Sequence, residues 1–151
     1  MTTAPEPGER YRGAEGRIGF LLRQAQDAFA AAMEEQLRDH GLTRPQFGVL
    51  SVLVADPGLS AADLARAAMV TPQAINLLVG VLEREGLLRR EPHPTHGRVL
   101  RLFATAEGAR RVEQAYPAVI ALEDRIVEGL SQRQVAAIKR WLVTVATTLK
   151  D

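Results

Sequence analysis

The sequence predicts a mainly α fold with a small β-wing: a winged helix-turn-helix reading head, with N- and C-terminal helices forming a dimerisation body. Three observations carry this. Two helix starts, at Ser60 and at Thr71-Pro72, come in quick succession. Two short strand-like runs joined by a Pro/Gly-rich loop follow the second helix directly. Long amphipathic stretches flank the whole unit.

Composition sets the outer bounds. A chain of 151 residues holds one domain with a real core but not two full-sized ones. Charged residues are 25% and hydrophobic residues 46%, which excludes wholesale disorder. A net charge of +1 argues against a polycationic DNA coater, so any nucleic-acid surface must be local. Between residues 60 and 101, Arg66, Arg84, Arg89, Arg90, Arg98 and Arg101 outweigh Asp63, Glu83, Glu85 and Glu91 only slightly. With no cysteine, disulfides, thiol catalysis and Cys-ligated zinc are excluded. The N-terminus lacks a basic-then-apolar signal pattern, and no run approaches the ~18 apolar residues of a membrane span. A cytoplasmic protein with no membrane partner is the expectation.

In chain order, residues 1–15 contain Pro5, Pro7, Gly8 and Gly13 among alternating charges and read as a mobile tail. A first helix begins near Gly16 and ends near Asp39, before His40-Gly41. Its apolar stripe is Ile18, Leu21, Leu22, Ala25, Phe29, Ala32, Met33 and Leu37. Thr43-Arg44-Pro45-Gln46 is a capping box with an early proline, so a second helix runs to about Ala55. Asp56-Pro57-Gly58 is a turn, and Leu59 adds a short strand to the wing sheet.

Ser60, with Asp63 three residues on, caps a third helix. The turn from Ala68 to Val70 is short enough to force a steep angle onto the next helix, which Thr71 caps ahead of Pro72. In that fourth helix Ile75, Leu78, Val79 and Leu82 make one buried stripe. Gln73, Ala74, Asn76, Leu77, Gly80 and Arg84 face the other way. Amides near a helix N-terminus suit base-edge reading, because Asn and Gln pair bidentately with adenine. The free N–H groups beside Thr71 suit phosphate. Taken alone, Gln73 and Asn76 read equally well as solvated polar residues.

Gly86 stops the helix. Leu87–Glu91 and Arg98–Phe103 then form the two strands of the wing, with Leu100 and Leu102 on one face. A cationic wing suits a phosphate backbone or a minor groove. Thr105 caps a fifth helix whose buried face is Val112, Tyr116, Val119, Leu122, Ile126 and Leu130; Pro117 inside it predicts a bend near Tyr116 rather than two separate helices. Ser131–Gln134 opens a last helix, where Val135, Ile138, Leu142, Val145 and Leu149 step as a coiled-coil seam beside Trp141. That seam is more apolar surface than one small domain hides, which points to a two-fold homodimer.

The ordered motifs resemble the MarR family of transcriptional regulators over residues 16–150. They are Leu42-Thr43-Arg44-Pro45-Gln46-Phe47-Gly48-Val49-Leu50, Leu64-Ala65, Val70–Asn76, Leu82–Arg90, Gly97-Arg98 and Thr105–Gly108. The resemblance implies helices one, five and six as the dimer body (16–41 and 105–151) around a head at 42–104, all within one domain, 16–151. It implies a double-stranded operator as partner, a repressor's role, and release by a small aromatic or lipophilic effector. By resemblance Gln73 and Asn76 face bases and Arg98 enters the minor groove. Two departures stand out. His96 replaces the acid that orients the wing arginine, and another frequent acid is His93. Both histidines are candidates for phosphate contact, more so when protonated near or below pH ~6.5. Leu77 replaces a polar or basic residue and is placed to touch a thymine methyl.

The DNA-contact candidates are therefore Ser60, Thr71, Pro72, Gln73, Ala74, Asn76, Leu77, Arg84, His93, His96 and Arg98. Phe29, Met33, Phe47 and Tyr116 are candidates to line an effector cleft between the first, second and fifth helices; each taken singly also reads as core. No catalytic residue is expected: there is no Gly-rich phosphate loop, and His40, His93 and His96 all lie at helix ends or in the wing. His93-x-x-His96 alone does not make a four-ligand zinc site, so no metal and no cofactor are expected. The alternative reading is a winged-helix module that binds protein without specific DNA binding.

Overall fold

A computed structural model describes residues 3–150. Six helices and one two-stranded sheet follow in order: α1 Ile18–Arg38, α2 Arg44–Ala55, α3 Ala61–Ala67, α4 Pro72–Arg84, β1 Leu88–Pro92, β2 Leu100–Ala104, α5 Ala106–Ile126 and α6 Gln132–Thr148. The helix starts fall where capping chemistry puts them. The hydroxyls of Thr43, Ser60, Thr71, Thr105 and Ser131 each accept from the N–H three residues on. At Thr43 and Ser131 the reciprocal glutamine bond closes the capping box. At Ser60 the return partner differs: its hydroxyl donates to the Asp63 carboxylate at 2.9 Å.

α3 and α4 meet at 108°. The turn between them puts Met69 in the left-handed region at φ +56, with its side chain in solvent. Holding a non-glycine residue there costs on the order of 1 kcal/mol, which the two packed helices sustain. α4 ends at Gly86 (φ +72), where the Leu87 N–H returns to the Leu82 carbonyl at 2.9 Å. β1 and β2 pair antiparallel in the register Leu88↔Ala104 to Pro92↔Leu100. Leu59 adds a single bridge to Leu102. The core lies among these elements, with Leu37, Leu50, Leu53, Leu64, Ile75, Leu82, Leu87 and Leu102 fully enclosed. The Thr105 hydroxyl donates to the Gly86 carbonyl at 2.6 Å, and Gly108 packs directly on the Leu87 carbonyl. A side chain at 108 would have no room there, so α5 is pinned to the end of α4. Hydrogen bonds from Arg110 and then Arg111 hold the Glu107 carboxyl down, to about 2 from its ordinary 4.5. Arg111 also donates to the Gly41 carbonyl at 3.3 Å, tying α5 to the α1–α2 corner.

The segment before α1 holds a 3-10 turn at Arg10–Arg12, and Arg12 donates to Gln24 of α1 at 2.7 Å and to the Pro5 carbonyl at 3.0 Å. Met1 and Thr2 of the expected tail lie outside the described residues. The buried face of α5 is Gly108, Val112, Ala115, Val119 and Leu122. Tyr116 (41% exposed) and Ile126 (55%) are off it, as is Leu130, which lies beyond the helix end. Ala115 takes the inner position because its small side chain allows close approach. Pro117 sits inside one helix rather than between two, as the sequence predicts. In the wing, β2 starts two residues later than expected. The His93 N–H bonds to the Val99 carbonyl and the Val99 N–H to the His96 carbonyl, both at 2.8 Å, so residues 93–99 form a closed turn. Leu100 is exposed there while Leu102 is buried. On α1 only the C-terminal half is covered: Met33 and Leu37 are buried, whereas Ile18 and Leu22 face solvent.

Candidate nucleic-acid interface

The amphipathic split of α4 decides which side chains face outward. Ile75, Val79 and Leu82 are buried and Leu78 is half-buried, so the helix is locked by one stripe. Thr71, Pro72, Gln73, Ala74, Asn76, Leu77 and Arg84 are all exposed. Leu77 stands 75% exposed on this face. Burial does not explain its presence, since nothing in the chain covers it. The Thr71 hydroxyl accepts from the Ala74 N–H at 3.1 Å, which leaves its own O–H as a donor.

The wing tip lies beside the start of α3. His93 builds it: its Nδ1 accepts from the N–H of Thr95 at 3.2 Å and of His96 at 3.1 Å. The His93 and His96 rings sit 5.1 Å apart. Of the two His93 nitrogens, only Nε2 is left to face a ligand. Arg98 is exposed in the turn and joins no ion pair among the described residues. Ser60, His93, Thr95, His96 and Arg101 line a cleft of about 640 Å³ between α3 and the wing. Among the described residues no group of three or more His, Cys, Asp or Glu is placed to hold a metal.

The structure thus brings Ser60, His93 and His96 together at one cleft and aligns the α4 candidates along one face. The effector candidates are split. Met33 and Phe47 are buried in the core, Phe29 is half-buried against it, and Tyr116 is largely exposed. The Phe47 and Tyr116 rings meet edge-to-face at 5.6 Å.

The family model described as "MarR family" matches residues 40–99. The HTH-type transcriptional repressor Rv2887 of Mycobacterium tuberculosis is 36% identical over 125 residues, covering 83% of this chain and 90% of that one. The chain belongs to the MarR family. Among solved MarR-type structures, the repressor CouR bound to a 23-mer DNA duplex is similar with a TM-score of 0.79 and 27% identity, covering 86% of this chain and 92% of that one. CouR from Rhodococcus jostii RHA1 bound to p-coumaroyl-CoA is similar with a TM-score of 0.78 and 29% identity, covering 85% and 91%. The MarR family is one of transcriptional regulators, and among the described residues no single helix is long and apolar enough to cross a membrane.

Proposed function

We propose that this chain is a transcriptional repressor that reads a pseudo-palindromic double-stranded operator as a homodimer. The observation that carries this is the outward face of α4, with Gln73 and Asn76 beside the helix start, next to a wing that presents Arg98. Gln73 and Asn76 read base edges in the major groove. Leu77 and Ala74 supply apolar contact to a thymine methyl. Thr71, Pro72 and Ser60 seat the helix starts on the backbone, Arg84 contacts it from the far end of α4, Arg98 enters the minor groove, and His93 and His96 contact phosphate.

The head at 42–104 sits on a body of residues 16–41 and 105–151. None of the residues of α6 is buried. Ile138, Trp141, Leu142 and Val143 of α6 and Ile120 and Ile126 of α5 are exposed apolar side chains. Such a surface is stable only when covered, and a second copy covers it isologously. Two copies place two α4 helices about one helical turn apart, roughly 10 bp. The ligand-bound CouR neighbour supports an effector as well. The region of Phe29, Met33, Phe47 and Tyr116, where the exposed edge of Tyr116 meets buried Phe47, is proposed to receive a small aromatic or lipophilic molecule.

Salt titration of duplex binding tests this reading against a protein-docking module. Binding through several phosphates falls steeply as salt rises, whereas docking to a protein does not need counterion release. Arg98→Ala is expected to weaken binding to specific and scrambled duplexes by similar factors, about 5- to 50-fold, and to flatten the salt slope. Unchanged binding by this variant in an anisotropy titration contradicts the wing assignment.

A further inference from the structure

The arginines between residues 60 and 101 are not equivalent. Arg66 is neutralised by Asp63, Arg89 by Glu91, and Arg90 by Glu83 at 3.0 Å. Arg84, Arg98 and Arg101 join no ion pair among the described residues. Arg84 and Arg98 are exposed side chains on flexible stems. Arg101 is half-buried, and it shares the Phe103 ring with Arg89, whose guanidinium carbon lies 4.5 Å from the ring centre. The Arg101 guanidinium carbon lies 5.1 Å from that centre. Below it is Gly58, at φ +91. A Cβ on residue 58 would lie 2.5 Å from Nη2, 3.0 Å from Nε and 3.1 Å from Cζ of Arg101. The left-handed φ favours glycine at 58, and the missing side chain leaves the space that the guanidinium occupies.

Stacking fixes the plane of a guanidinium while leaving its N–H edge free. That edge belongs to the cleft between α3 and the wing turn, shared with Ser60, His93, Thr95 and His96. The one carboxylate lining this cleft, Asp63, is already engaged. Its Oδ2 accepts from Ser60 Oγ at 2.9 Å and its Oδ1 from Arg66. Glu91, opposite Arg101 in the strand register, is engaged by Arg89, so Arg101 is left without a carboxylate partner of its own.

We propose that Arg101, seated on Gly58 and stacked on Phe103, is a preformed site for one phosphodiester of the DNA backbone, where the strand passes between the wing and α3. The proposal rests on the reading that α4 and the wing dock on a duplex. A planar fork matches two phosphate oxygens at once, and a fork already immobilised loses little entropy on binding. The site carries no base preference. It fixes how deeply the wing sits and so where Arg98 enters the groove.

The test is anisotropy titration of the full chain on two duplexes of about 30 base pairs, one carrying a site enriched among genomic fragments that the protein retains and one scrambled, between about 50 and 200 mM salt. Arg101→Gln is expected to weaken both duplexes by a similar factor, about 5- to 20-fold, and to reduce the slope of log affinity against log salt by about 2 per dimer, one phosphate from each copy. Arg101→Met, which retains a stem against Phe103, is expected to lose the same slope and serves if the Gln variant does not fold; thermal melting monitors both. A merely structural role lowers affinity or melting temperature and leaves the slope alone. A steep wild-type slope that neither variant changes overturns this site while leaving the operator reading intact. A wild-type protein with no salt-dependent duplex binding overturns both.

Discussion

Placing an acid in the exposed seam of α6, as in Leu142→Asp, is expected to leave a folded monomer that no longer holds its operator. Leu142 is 42% exposed in the single chain and is not part of the buried core. The substitution therefore removes little from that core, which α1 to α5 and the wing build. In a two-fold dimer the same residue faces its partner, and two carboxylates would be forced out of water together. Linking two half-site readers makes the second binding event intramolecular, a gain of about 10²–10⁴ in avidity that the monomer forfeits. Sedimentation and operator titration on the same sample check this. A Leu142→Asp protein that stays dimeric, or a monomer with undiminished operator affinity, contradicts the assembly.

Asn76→Ala is expected to abolish preference among sequences while leaving scrambled-duplex binding nearly unchanged. Asn76 is exposed on α4, one turn from the helix start, and carries no charge. It contributes nothing to counterion release, so the salt slope stays as in the wild type. A bidentate amide–adenine pair discriminates by about 1–3 kcal/mol, and both copies lose it, which makes the specific-to-scrambled ratio fall by at least about 30-fold. This pattern is opposite to that expected of Arg98→Ala. Competition of specific against scrambled duplex reads the ratio directly. A ratio that survives the substitution would place Asn76 away from the bases.

Much of the fold was legible because helix boundaries are written in local hydrogen bonding. Thr43 with Gln46, Ser131 with Gln134, and Thr71 with Pro72 each mark a start within four residues of sequence, and the structure puts the helices there. Faces were less secure. On α5 a 3.6-residue period admits either Ala115 or Tyr116, and hydrophobicity alone prefers the larger one. Close approach to the neighbouring helices selects the smaller. The wing turn was misplaced because its geometry depends on a side chain, His93, accepting two backbone N–H groups. Outward placement of Gln73, Asn76 and Leu77 followed from the stripe opposite them. Which arginines are left unpaired did not follow, since Arg90 meets Glu83 and Arg101 meets Gly58 only through tertiary packing and strand register. The apolar seam of α6 was visible as a surplus, and the structure shows how little of it the single chain covers.

Sequencing the genomic fragments that the purified protein retains, at low and at physiological salt, separates a sequence-specific reader from a docking module. A small set of enriched sites is expected to survive physiological salt and to share a pseudo-palindrome with half-sites about 10 bp apart. Ligand-free protein must be used, because an effector-bound dimer is expected to release DNA. Retention without a shared site, or retention lost at physiological salt, would contradict a sequence-specific reader and return the winged head to the class of protein-docking modules.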